Sequence, residues 1–126
     1  MQFSGVRAFI VDDEPVIASS LAAILSLHGF TASFFTDPLK ALASALLDPP
    51  DLLISDIVMP NLSGIDLALQ IKALCPGCRV LLFSGQATNV DFLQDAHKVD
   101  SNLHIIPKPV HPSTLLEIIR QQSLEN

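Results

Sequence analysis

Short apolar runs alternate five times with longer amphipathic stretches along this chain, and that rhythm restricts the fold more than any single residue does. The runs fall at about 6–11, 30–35, 51–55, 79–83 and 103–106 and read as strands. The stretches between and after them have helical spacing. The first, about 14–28, carries Val16, Ile17, Leu21, Ile24, Leu25 and Leu27 as its apolar positions, with Gly29 as its stop. The second runs from Pro38 to about Leu47, capped by Asp37 and halted by Pro49-Pro50. The third, from about Gly64 to Leu74, turns Ile65, Leu69 and Ile71 inward and ends at Pro76. A fourth is expected over about 88–98, and a fifth from Pro112 that buries Leu115, Leu116, Ile118 and Ile119.

Five strands alternating with five helices imply an α/β fold with a parallel sheet covered on both faces. Leu52-Leu53-Ile54 and Val80-Leu81-Leu82-Phe83 are apolar without alternation, as strands buried on both sides must be. The expected strand order is 2-1-3-4-5, the doubly wound, flavodoxin-like arrangement with right-handed crossovers. With 126 residues, 49% of them hydrophobic, the expectation is one domain spanning 1–126. Met1 to Gly5 lack the character of a secretion signal, and each apolar stretch is interrupted short of a membrane span, so a cytoplasmic protein is expected. A net charge of -6 with only 7 Lys and Arg argues against direct nucleic-acid binding. Cys75-Pro76-Gly77-Cys78 follows a helix C-terminus, where the dipole opposes a thiolate, and reads as a plain loop. His28, His97, His104 and His111 lack metal-ligand spacing; His28 suits a helix C-terminus.

In such a sheet, ligands bind beyond the carboxyl ends of strands 1 and 3, where the winding reverses. Asp12-Asp13 follow strand 1, Asp56 ends strand 3, Ser84-Gly85 end strand 4 and Lys108 follows strand 5. Neighbouring strands lie about 4.8 Å apart, so the carboxylates are close and repel unless something compensates. A divalent hard cation does this, and Mg²⁺ suits one or two carboxylates with waters and phosphate oxygens. Lys108 offers a second positive charge, Ser84 a hydroxyl, and Gly85 room for close backbone approach. These are the parts that stabilise a transferring phosphoryl group, with Asp56 as the nucleophile that becomes an acyl phosphate. Singly, each residue has a plainer reading: Asp12 and Asp13 could cap the first helix, and Lys108 could be a solvated lysine. Their convergence on one crevice is what no core requires.

The chain resembles a response-regulator receiver domain over essentially its whole length. The matching residues are Asp12-Asp13 with Glu14-Pro15, Asp56 within Ser55-Asp56-Ile57-Val58-Met59-Pro60, Asn61-Leu62-Ser63-Gly64, Ser84-Gly85 and Lys108-Pro109. The resemblance implies a two-component phosphoacceptor in which Asp56 is phosphorylated by a histidine kinase or phosphotransfer protein. It assigns Asp12 or Asp13, Asp56 and the backbone carbonyl of Val58 to Mg²⁺, and Ser84 and Lys108 to the phosphoryl oxygens. It also implies a cis peptide at Lys108-Pro109 and a downstream protein target. Two departures stand out. Ile105 occupies the place of the family's aromatic switch residue, with His104 on the opposite strand face, and His97 to Asn102 lack the usual glycine. With Ile105 there, the outward signal is expected to pass from Ser84 through the backbone of residues 84–90, reshaping the start of the fourth helix.

Three other readings compete. A hydrolase turning over an aspartyl intermediate usually has a second Asp two residues after the nucleophile, where this chain has Val58. An inactive interaction module would not need Asp12, Asp13, Asp56, Ser84 and Lys108 together. A fragment of a longer regulator would look the same within these residues. The expectation is therefore a phosphoacceptor that assists its own phosphorylation and dephosphorylation, and is not otherwise an enzyme.

Overall fold

The computed structural model describes residues 3–85 and 103–124. Its elements run β1 (Arg7–Val11), α1 (Pro15–Leu27), β2 (Thr31–Phe35), α2 (Pro38–Leu47), β3 (Leu52–Asp56), α3 (Gly64–Leu74), β4 (Arg79–Ser84), β5 (His104–Pro107) and α4 (Pro112–Leu124). The helix expected over 88–98, together with His97 and most of the 84–90 loop, lies outside the described residues. All four strand pairings are parallel, in the order β2-β1-β3-β4-β5 that the alternation predicts. Strand limits differ from the sequence reading by a residue at most.

Each central strand serves two cores by simple alternation. Ala8, Ile10, Leu52, Ile54, Leu81 and Phe83 pack on one face with Ala18, Ala22 and Leu25 of α1 and Leu115, Leu116 and Ile119 of α4. Phe9, Val11, Leu53, Val80 and Leu82 pack on the other with Ala41 and Ala45 of α2 and Leu67, Ala68 and Ile71 of α3. Ile54, Leu81 and Leu53 are almost wholly excluded from water. Burial of each stabilises the fold by about 1.5–3 kcal/mol.

The helix ends follow local chemistry. Asp37 caps α2 by accepting from Leu39 N–H at 3.0 Å, and Ser63 caps α3 by accepting from Asp66 N–H at 3.1 Å. Gly29, at φ 98°, takes the left-handed conformation that stops α1. Two sequence expectations need correction. Val16 and Leu27 point to water, 77% and 75% exposed, because α1 lies on the sheet through Ala18, Ala22 and Leu25 instead. Ile65, Leu69 and Ile118 are only half-buried, and α3 is centred on Leu67, Ala68 and Ile71. No helix among the described residues is long and apolar enough to cross a membrane.

Candidate functional site

The carboxyl edge of the sheet assembles the site. Asp12 directly follows β1, its N–H donating to Phe35 C=O at the end of β2 (3.1 Å), and its side chain is buried at 2% exposure. Its Oδ1 accepts from Glu14 N–H at 2.9 Å. The capping residue of α1 is Glu14, with no side-chain capping bond, so neither Asp12 nor Asp13 is its N-cap. Asp13 is exposed at the rim.

Asp56 is the last residue of β3. Ile57 N–H donates both to Phe83 C=O, continuing the sheet ladder, and to Asp56 Oδ1, each at 3.0 Å. That pair of bonds orients the carboxylate. The loop beyond it turns sharply where Leu62 N–H reaches Pro60 C=O (2.9 Å) across Asn61, at φ 74°. Asn is among the few residues that accept this conformation. The loop holds Met59 inward and leaves the Val58 side chain exposed.

Lys108 follows β5, and its N–H donates to Ser84 C=O at 2.9 Å. Its peptide bond to Pro109 is cis. The Lys108 Nζ lies 3.1 Å from Asp12 Oδ2 and 3.4 Å from Asp56 Oδ2, bridging strands 1 and 3 from beyond strand 5. A solvated lysine is thereby excluded. Ser84, buried, ends β4 beside Asp56.

One oxygen from each of Asp12, Asp13 and Asp56 lies within 4.8 Å of the other two. Three carboxylates against one ammonium leave two negative charges in a partly dehydrated crevice, all on hard oxygen donors. This set fits a divalent cation. Burial pushes the Asp56 pKa up; the Lys108 charge pulls it down and the Asp12 charge raises it again, leaving it above the usual carboxylate value. For Lys108, burial alone would lower the pKa, but the hydrogen bond to Asp12 and the charges of Asp56 and Asp12 hold it above the ordinary lysine value.

Other residues of interest fall elsewhere. Ile105 packs against the α2–α3 core, whereas the exposed His104 lies 3.5 Å from Gln122 Nε2 of α4, so the two do occupy opposite strand faces. His111 pairs with Ser113, and both cysteines are free thiols in the α3–β4 connection. Sequence reasoning gave Gly64 no task. Yet a Cβ there would stand 2.1 Å from the Asp56 carbonyl oxygen. Its only signal in the sequence was its place in the motif.

The sequence profile of the response regulator receiver domain matches residues 8–120. The chain is 35% identical over 85 residues to the transcriptional regulatory protein CreB of Escherichia coli, covering 68% of this chain and 37% of that one. It is 32% identical over 81 residues to the probable transcriptional regulatory protein TcrX of Mycobacterium tuberculosis, covering 64% and 35%. The chain thus spans about a third of the length of these curated relatives. Among solved structures, a CheY-like response regulator receiver domain protein from Methanospirillum hungatei superposes with a TM-score of 0.84 at 27% identity, covering 95% of this chain and 94% of that one.

Proposed function

This chain belongs to the response regulator receiver domain family of two-component signalling, and from that premise we propose that Asp56 is its phosphoacceptor, in a Mg²⁺-dependent reaction with a histidine kinase or phosphotransfer protein. The observation that carries this reading is the Lys108 ammonium held at 3.1 and 3.4 Å from two strand-end carboxylates, with a third carboxylate beside them.

In the proposed reaction an Asp56 carboxylate oxygen attacks phosphorus, a P–O bond forms and the donor's P–N bond breaks. The imidazole departs with the electron pair and takes up a proton. Asp56, held at Oδ1 by Ile57 N–H, presents Oδ2 toward the crevice, where it is paired with Lys108. Lys108 stands ready to shift from carboxylate to phosphoryl oxygen, and the Ser84 hydroxyl meets another. Asp12, Asp13, Asp56 and the Val58 carbonyl would hold Mg²⁺, which when bound supplies charge neutralisation at the transferring group. Each chain accepts one phosphoryl group until water removes it, so the protein acts as a switch and not as a turnover enzyme. We assign residues 1–126 to a single receiver domain acting in the cytoplasm, with Ser84 and Ile105 on the path to a downstream protein target.

Intact-mass measurement after incubation with acetyl phosphate and Mg²⁺ tests the assignment. Wild type should gain one phosphoryl group and Asp56→Asn none; equal labelling of both would overturn it.

A further inference from the structure

We propose that Gly64 and Ser55 are positioning residues for the acceptor, clamping the Asp56 main chain from two sides; this rests on Asp56 being the phosphorylated residue. A Cβ added to Gly64 would meet the Asp56 carbonyl oxygen at 2.1 Å, its carbonyl carbon at 2.9 Å and Ile57 Cα at 3.0 Å. All three are backbone atoms, which cannot rotate aside as a side chain would. Gly64 is not among the glycines with positive φ, so its conformation is open to any residue and only space demands glycine. With a Cα–Cβ bond of about 1.5 Å, the Gly64 Cα lies no more than about 3.6 Å from that oxygen, the range of a C–H···O contact. Gly64 N–H also donates to Ile57 C=O at 2.8 Å.

From the other side, the fully buried Ser55 donates its hydroxyl to the same Asp56 carbonyl at 2.9 Å. Residues 55–57 are therefore fixed through three consecutive links, by Ser55 on Asp56, by Phe83 on Ile57 and by Gly64 on both. Val58, whose carbonyl is proposed for Mg²⁺, sits between the anchored Ile57 and the buried Met59. The first residue of α3 thus sets where the acceptor and its neighbouring metal-facing carbonyl stand. Relieving a 2.1 Å contact to a tolerable separation requires a shift of roughly 1 Å, and a displacement of that size at reacting atoms lowers rates by about 100-fold.

The test compares wild type, Gly64→Ala, Ser55→Ala and Asp56→Asn with acetyl phosphate at saturating Mg²⁺, following initial phosphorylation by intact mass. Mg²⁺ affinity is read separately from the Ile57 amide shift in NMR titration. Gly64→Ala should lower the maximal rate about 100-fold with little change in the KM for acetyl phosphate, and should weaken Mg²⁺ binding. Ser55→Ala, losing one hydrogen bond, should lower the maximal rate about tenfold. A purely structural role would lower the melting temperature and leave the rate per folded molecule and the Mg²⁺ affinity at wild-type values. Either folded variant behaving that way removes its residue from the clamp, and if Gly64→Ala does not fold, Ser55→Ala decides. Equal labelling of wild type and Asp56→Asn would instead overturn the acceptor assignment itself.

Discussion

Replacing Lys108 by methionine keeps the length of the side chain and deletes its charge. At an effective dielectric near 20, unit charges at 3.1 and 3.4 Å attract by about 5 kcal/mol each. The carboxylates left behind, with oxygens within 4.8 Å, repel by at least about 3.5 kcal/mol per pair on the same scale. Most of this is returned, because the lysine no longer loses its hydration and water enters beside Asp13. Breaking a buried pair costs about 3–5 kcal/mol net. Exposures of 24% for Lys108 and 14% for Asp56 place the loss at the lower end, about 3 kcal/mol. For a chain of 126 residues this is a melting temperature lower by roughly 10 °C. Urea unfolding at pH 7, low salt and no divalent cation measures it. The folded-state pKa of Lys108 is raised, so its stabilisation is complete below the unfolded value near 10.5 and fades only as pH rises through the folded one. That of Asp56 is also raised, so its protonated form favours folding below the unfolded value near 3.8, and this contribution is lost as pH rises through the folded pKa. The Lys108→Met deficit should therefore shrink as pH falls into the carboxylate range, and shrink at pH 7 on adding Mg²⁺ or Asp56→Asn. A Lys108→Met protein within about 0.5 kcal/mol of wild type at pH 7 without divalent cation would refute the compensation argument.

Mg²⁺ should bind weakly, keeping several waters, and Asp13→Ala should abolish both its titration and phosphorylation while leaving the fold intact; wild-type titration by that variant would displace the pocket. Burial pushes the Cys78 thiol up to about 12, so at pH 8 only about one molecule in ten thousand carries the thiolate. Iodoacetamide followed by peptide mass spectrometry should leave Cys78 unmodified until the protein unfolds.

The strand rhythm was legible because every central strand is apolar on both faces, and the carboxylates were legible because strand ends can be counted. Burial within helices was less so. Hydropathy favours Val16 and Leu27, yet Ala18 and Ala22 lie against the sheet because small side chains allow close approach. Asp12 carried a preferred capping chemistry, but its oxygens are engaged by Glu14 N–H and Lys108, a partner 96 residues away. The demand at Gly64 was invisible for a similar reason. Nothing in its neighbourhood along the chain shows that the Asp56 carbonyl will occupy the space of its missing side chain.

The alternation of β3 also ties stability and chemistry to one phase. Leu53 serves one core, Ile54 the other, and Asp56 arrives at the crevice because the count from Leu52 is fixed. Removing a single residue inside that strand would send side chains of one core into the other and retract the carboxylate from Lys108 by about 3.3 Å. Substitutions can alter the fold or the acceptor separately; length changes in this strand cannot. Variation in chain length should accordingly collect in the connections, and the five residues Leu52–Asp56 behave as an indivisible unit of inheritance.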